Sequence, residues 1–239
     1  MKICIIGYGK MGHEVERIAL SRGHEVVGKL DAQWDTLPEC DVAIEFTTPE
    51  TAFENISKAI KQGVPIVSGT TGWLKKYDDI LTEVDRHEGS FFYASNFSIG
   101  IYLFRQLNKH LAKMMNFFPE YDASMEEIHH IHKLDYPSGT ALTLADEVIE
   151  QLAVKTESKP YLATDAKPDA TPEQLLIRSV REGEVPGTHT IRYESEEDVI
   201  EIKHEAKGRA GLARGAVLAA EFIQGKKGVF GMEDLVNIK

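Results

Sequence analysis

The chain has 239 residues, enough for one large or two small domains with an ample core, and its 27 basic against 38 acidic side chains leave a net charge of −11. So acidic a balance argues against extended polyanions, so neither nucleic acid nor an anionic membrane surface is expected as a partner. The start, Met1 to Ile6, turns to glycine too soon for a signal peptide, no apolar stretch is long enough to span a bilayer, and Cys4 and Cys40 lie in apolar runs that suit reduced, buried thiols better than a disulfide. A cytoplasmic setting is the expectation.

Ile3 to Ile6 is a run of β-formers that ends at Gly7, and Met11, Val15, Ile18 and Ala19 then follow at helical spacing. Glu25 to Leu30 and Asp41 to Phe46 read as strands, and Pro49 to Ile60 as a helix with proline in its first turn. Val64 to Ser68 is strand-like, Trp73 to His87 helical, and Ser90 to Ala94 strand-like. This alternation predicts βαβ units, hence a parallel sheet covered on both faces. After Asn96 the pattern changes. Phe97 to Met115 reads as one long helix, Asp122 to His129 as a strand and Ser138 to Leu152 as a helix. Lys155 to Glu173, polar with three prolines, reads as an exposed loop or arm. Leu175 to Val180, His189 to Glu194 and Val199 to Ala206 read as strands, with a turn at Ser195 to Asp198, and Leu212 to Ile223 is an apolar helix that can return to the first domain. The expected architecture is α/β: a dinucleotide-binding domain of residues 1–98 and 210–239, with residues 99–209 inserted as an α+β domain on a small mixed sheet.

Gly7-Tyr8-Gly9-Lys10-Met11-Gly12 is a G-x-G-x-x-G between a strand and a helix, the context in which glycines let a pyrophosphate approach a helix N-terminus. Asp31 ends the second strand, where a carboxylate binds the adenosine ribose hydroxyls and repels a 2′-phosphate, which favours NADH over NADPH. Gly69-Thr70-Thr71-Gly72 and Ala94-Ser95-Asn96-Phe97 follow two further strands at the edge where a nicotinamide should lie.

The richest segment runs from Glu127 to Ala141. His129, His130, His132 and Lys133 offer proton exchange and positive charge, and Pro137-Ser138-Gly139-Thr140 opens a helix whose free N–H groups suit an anion. A small acidic substrate follows. Glu127 with the histidines raises the question of a metal, but no H-E-x-x-H or Cys/His ligand spacing is present, and none is expected.

The same segment resembles the signature E-x-H-H-x-x-K-x-D-x-P-S-G-T-A of the dihydrodipicolinate reductases of bacterial lysine biosynthesis. The resemblance extends through Glu45-Phe46-Thr47-Thr48-Pro49, Arg181-Glu182-Gly183, Gly187-Thr188-His189-Thr190 and His204 to Arg209. It implies a Rossmann domain closed by a C-terminal helix and a substrate domain whose sheet assembles a homotetramer. It implies His129 as general acid/base, Lys133 as second proton donor, His130 as a substrate contact, and Gly139 and Thr140 as carboxylate holders. The reaction implied is hydride transfer from NADH or NADPH to a cyclic dicarboxylate imine with loss of water, with the two domains closing over the reactants. The sequence departs from the family pattern at the tight Gly7-Tyr8-Gly9 turn, and at Lys10, Glu45, Ser95 and Leu212 where arginine, aspartate, proline and phenylalanine are usual. A small amino-acid dehydrogenase of the aspartate type and a non-catalytic NADH sensor remain as alternatives. Neither needs the arrangement of Lys133 with Gly139 and Thr140.

Overall fold

A computed structural model describes residues 1–31 and 34–236. The chain divides into two units, one up to Ile99 and again from Arg209 onward, the other Gly100–Gly208.

The first unit is a six-stranded sheet in the order β11-β5-β4-β3-β1-β2, where β1 is Lys2–Ile6, β2 Glu25–Leu30, β3 Val42–Glu45, β4 Ile66–Ser68, β5 Ser90–Tyr93 and β11 Gly228–Phe230. Every pairing is parallel. β1, β3 and β4 are almost continuously buried, as strands covered on both faces must be. The helices are α1 (Lys10–Ser21), α2 (Pro49–Lys61), α3 (Tyr77–Arg86), α6 (Ala210–Ile223) and α7 (Met232–Leu235). α6 packs on α1 and against β3, β4 and β5, so the last apolar helix does belong to the first unit. The strand order runs one way from β1 to β2 and the other way from β1 to β3, and the crevice at that reversal is where open α/β sheets bind ligands. Gly7 occupies the crevice with φ +90°, and a Cβ there would stand 2.0 Å from the Phe46 carbonyl oxygen. Only glycine can meet both conditions. Cys4 and Cys40 are free thiols, Cys4 buried and Cys40 half-buried.

The second unit is a five-stranded sheet in the order β10-β9-β6-β8-β7, with β6 Asp122–His129, β7 Glu157–Leu162, β8 Gln174–Arg181, β9 Thr188–Glu194 and β10 Val199–Glu205. It is mixed: β6 runs parallel to β8 and antiparallel to β9. α4 (Ile99–Met115) and α5 (Gly139–Gln151) supply Phe104, Ala112, Leu144 and Val148 to a core shared with Met125, Ile177, Ile191 and Tyr193. The inward row of β6 reads Ala123, Met125, Glu127, His129 at period two, and it turns from apolar to charged toward the strand's C-terminal end. In register beside Glu127 lie Ser179 and His189, and beside His129 lies Arg181.

Two expectations are corrected. The segment Lys155 to Glu173 is not simply a loop, because Glu157–Leu162 forms β7, paired parallel with β8. Pro160 sits there because β7 is the sheet edge, where a missing N–H breaks no ladder. Nor is Lys155 exposed. Its side chain is 1% accessible, and Nζ donates to Asp122 Oδ1 at 2.6 Å and to the carbonyls of Pro172 and Gln174 at 2.9 and 3.0 Å, which satisfies a charge otherwise costly to bury. The predicted helix from Trp73 begins as a short 3₁₀ turn, Leu74–Lys76, before α3. β11 and α7 went unpredicted. A three-residue strand has too few positions to show a period and owes its form to pairing with β5.

Candidate active site

In the first unit one cavity of about 400 Å³ is lined by Gly9, Lys10 and Met11 from the first loop, by Phe46, Thr47 and Pro49 after β3, and by Gly69, Thr70 and Thr71 after β4. The loops are tied by one side chain that the sequence reading gave no role. Glu45, fully buried at the end of β3, accepts hydrogen bonds from the Ser68 and Thr70 hydroxyls at 2.5 and 2.7 Å, from the Thr47 N–H at 2.9 Å and from the Thr47 hydroxyl. Four donors make that buried carboxylate tolerable and fix both loops to it. Gly69 cannot carry a side chain, since a Cβ would lie 2.0 Å from Cε1 of Phe46.

The fit to a dinucleotide rests on the first loop. Nothing stands within 4 Å of a Cβ built on Gly9, and α1 has no acidic side chain in its first turn to oppose an anion. Asp31 is exposed directly after β2. Lys29, two residues earlier, is engaged elsewhere: Nζ lies 2.5 Å from Glu16, which also accepts the Tyr8 hydroxyl, and 5.0 Å from the Tyr8 ring centre. Hydrogen bonds from Lys29 and then Tyr8 hold the Glu16 carboxyl below its ordinary range. Among the described residues, Gly7, Tyr8, Gly12, Asp31, Gly72 and residues 94–97 do not line the cavity. Asn96 Oδ1 accepts from Ser98 N at 2.9 Å, a turn contact, and the Phe97 ring is a core group packed on Phe46 and Phe92.

In the second unit the predicted proton-handling residues gather where β6 ends and α5 begins. His129 is the last residue of β6. Its Nε2 is buried, without a hydrogen bond, 3.3 Å from Glu127 Oε2. The His189 ring stands edge-on at 5.3 Å, and Gly187 presses so close that a Cβ would be 2.9 Å from Cε1 of His129. Lys133 Nζ donates to both carboxylate oxygens of Asp135 at 2.9 Å and holds the Asp135 carboxyl below its ordinary range. His130 is half-buried, and its ring lies 5.9 Å from that of His132. His132 turns outward to Glu184 at 2.9 Å, away from the cluster, as an incidental histidine would.

The residues missed from sequence hold this cluster in place. Glu127 is completely buried and accepts from Ser138 N at 3.1 Å and from Arg181 Nη2 at 3.0 Å. Burial alone would push its carboxyl upward, but the close approach of His129 and the hydrogen bonds from Ser138 N and Arg181 outweigh it and hold the group well below the carboxylate range. Arg181 also donates to the carbonyls of Lys133 at 3.3 Å and Asp135 at 2.6 Å, stapling the lysine loop to the strand. His189 is kept neutral: burial first, then the neighbouring His129, lowers its pKa to about 4. Its Nε2 lies 3.2 Å from the Ser138 hydroxyl, which caps α5 by accepting from Ala141 N at 3.2 Å. One signal was available in advance, because Glu127 and His189 fall on the inward, otherwise apolar positions of alternating strands.

The start of α5 has donors to spare. Ser138 N serves Glu127, Ala141 N serves the cap and Leu142 N the Ser138 carbonyl, so Gly139 and Thr140 hold the first-turn N–H groups with no helical acceptor. Nothing stands within 4 Å of a Cβ built on Gly139. Glu127, His129 and His189 also bring one ligand atom each within 4.8 Å of one another. A cation there would have to displace Ser138 N and face the Arg181 guanidinium across the same carboxylate, so the trio reads as a hydrogen-bonded proton site.

Comparison with known proteins gives one family. Models described as dihydrodipicolinate reductase, N-terminus and C-terminus, match residues 1–97 and 100–236. The chain is 45% identical to the 4-hydroxy-tetrahydrodipicolinate reductase of Christiangramia forsetii, over 99% of this chain and 98% of that one. It is 32% identical to the enzyme of that name from Staphylococcus aureus, over 96% and 98%. Among solved structures, a dipicolinate-bound dihydrodipicolinate reductase from Paenisporosarcina superposes with a TM-score of 0.77 at 21% identity over 99% of both chains, which shows the fold.

Proposed function

The chain belongs to the dihydrodipicolinate reductase family of NAD(P)H-dependent oxidoreductases, and we propose that it reduces 4-hydroxy-tetrahydrodipicolinate to tetrahydrodipicolinate, with loss of water, on the route to diaminopimelate and lysine. The observation that carries the assignment beyond family membership is the pair of unspent N–H groups at Gly139 and Thr140 in the same unit as His129 and Lys133. A helix N-terminus with two free donors suits a carboxylate, and a lysine with an imidazole suits proton supply.

A nicotinamide dinucleotide, when bound, would supply the hydride, and the first loop with Gly69, Thr70 and Thr71 would hold it. Hydride replaces hydroxide at the ring carbon, so each turnover consumes one proton to make water. Gly139 and Thr140 hold one substrate carboxylate, and the Thr140 hydroxyl adds a donor. His130 contacts the substrate. His129 has Nε2 buried against Glu127, so Nδ1 is the nitrogen that exchanges a proton with a reactant. Lys133 is the second donor, and its hydrogen bonds to both carboxylate oxygens of Asp135 fix where Nζ stands. NADH is the favoured cofactor: Asp31 opposes a 2′-phosphate, and the nearest strand lysine, Lys29, is already paired with Glu16. The protein works in the cytoplasm as a homotetramer built through the inserted sheet, whose face away from α4 and α5 offers half-exposed Leu176 and Val180. No helix among the described residues is long and apolar enough to cross a membrane.

The test is a steady-state assay with the freshly made product of dihydrodipicolinate synthase, comparing NADH with NADPH. Reduction with either cofactor, faster with NADH, is expected. No reduction with intact NADH binding overturns the reaction assigned.

A further inference from the structure

The most unusual group beside the proposed proton donors is Glu127. A carboxylate with no exposed surface, on a core position of a central strand, is rare unless each oxygen is satisfied. Here both are. Oε1 receives Arg181 Nη2 at 3.0 Å, and Oε2 receives Ser138 N at 3.1 Å while facing His129 Nε2 at 3.3 Å. The carboxylate is thus held by the adjacent strand and by the start of α5, and cannot turn away from the imidazole.

We propose that Glu127 is a positioning residue for the reduction, acting through His129 by fixing which edge of the imidazole is turned inward and so which nitrogen meets the substrate. The inference rests on His129 being the acid/base group. Three observations support it. The opposite constraint is steric: Gly187 closes on Cε1 of His129, so the ring is bracketed between a carboxylate and a backbone rather than held by one contact. The carboxylate is itself clamped by Arg181, whose other bonds go to the carbonyls of Val180, Lys133 and Asp135, so one residue ties both proton donors to the strand. And Ser138 N, at the start of α5, holds the same carboxylate oxygen that faces the imidazole, so that oxygen has a fixed place. The charged and titratable groups of the cluster are Glu127 on the strand of His129, Arg181 on β8 paired with Glu127, His189 on β9 against the imidazole, and Lys133 with Asp135 in the following loop, while His204 on β10 acts on His189. Of these, Glu127 alone makes an ion-pairing approach to His129.

A mere structural carboxylate and a positioning one separate in a double-mutant cycle. Glu127→Gln keeps the shape and removes the charge. In the wild-type background it should lower kcat by about a hundredfold, the cost of a small misplacement at a reacting group, with NADH affinity unchanged. In a His129→Gln background the same change should cost less than about twofold, because residues that act as a unit are not additive. Glu127→Asp should recover part of the lost kcat. If Glu127→Gln leaves Arg181 unpaired and the chain fails to fold, the pair Glu127→Gln with Arg181→Met removes both charges and carries the same cycle, with circular dichroism to show the fold. Equal losses in both backgrounds, or near-normal kcat in Glu127→Gln, overturn the inference. Near-normal kcat in His129→Gln alone overturns instead the acid/base reading on which it stands.

Discussion

The glycine-loop cavity and the cluster at the start of α5 occupy equivalent places in their two sheets, strand C-terminal ends beside a helix N-terminus, yet they are made of different material. The first is mostly backbone. Its glycines clear space, its hydroxyls serve one buried carboxylate, Glu45, and no histidine lines it. The second is mostly titratable side chains: Glu127, His129, His189, Lys133 and Asp135, locked by Arg181. A backbone cradle recognises a shape and a fixed charge and is indifferent to pH. A side-chain cluster handles protons, and its members must be held against their own tendency to change charge.

That contrast is broken most directly by removing a proton donor. His129→Gln should lower turnover by 10² to 10⁴, the usual worth of a positioned acid or base, while NADH still binds, as isothermal titration would report. Near-normal turnover sinks the assignment. Lys133→Ala should act the same way, chiefly on kcat. If only the apparent substrate affinity changes, Lys133 is a binding residue and the cluster has a single donor.

The difference in pH sensitivity can be read in stability. His189 is depressed from 6.5 to about 4 in the folded chain. Between those values the unfolded chain binds a proton that the folded chain refuses, so stability falls as pH drops from 6.5 to 4. The 2.5-unit span corresponds to about 3 kcal/mol. Glu127, depressed as well, adds a loss that starts below its ordinary value and continues to lower pH. Denaturant titrations at pH 7, 5.5 and 4 should show this slope, and His189→Asn should flatten it. An unchanged slope in the variant shows that His189 is not the group responsible. The backbone cradle offers the reverse probe. Gly69→Ala drives a methyl into the Phe46 ring and should weaken NADH binding about tenfold, a cost near 1.4 kcal/mol, as isothermal titration would report.

The two regions were also unequally legible. The glycine loop could be read because its three glycines fall within six consecutive residues between a strand and a helix, although what closes on Gly7 is the distant Phe46 carbonyl. The parallel sheet followed from strand and helix in alternation. His129, His130, Lys133, Gly139 and Thr140 could be named because they fall within one short stretch of sequence. Glu127, Arg181 and His189 act together across three strands whose register no local pattern specifies, and so did Glu45 with Ser68 and Thr70. Pairing decides such partners, and pairing is a property of the folded sheet. β7 was hidden for a related reason: Pro160 argues against a strand everywhere except at an edge, and which strand is the edge is not written in Lys155 to Glu173.

The smallest effect is expected at Asp31, directly after β2. Asp31 is exposed, so its repulsion of a 2′-phosphate is screened, and the preference it gives should be a few-fold. Lys29 stands two residues away but is neutralised by Glu16, which also holds Tyr8. Asp31→Ser alone should therefore raise kcat/KM for NADPH several-fold and leave NADH nearly unchanged. Adding Glu16→Gln should release Lys29 and raise NADPH use further, more at low salt than at high salt. If the second change adds nothing, Lys29 does not reach the 2′-position, and discrimination in this loop belongs to Asp31 and Lys10 alone.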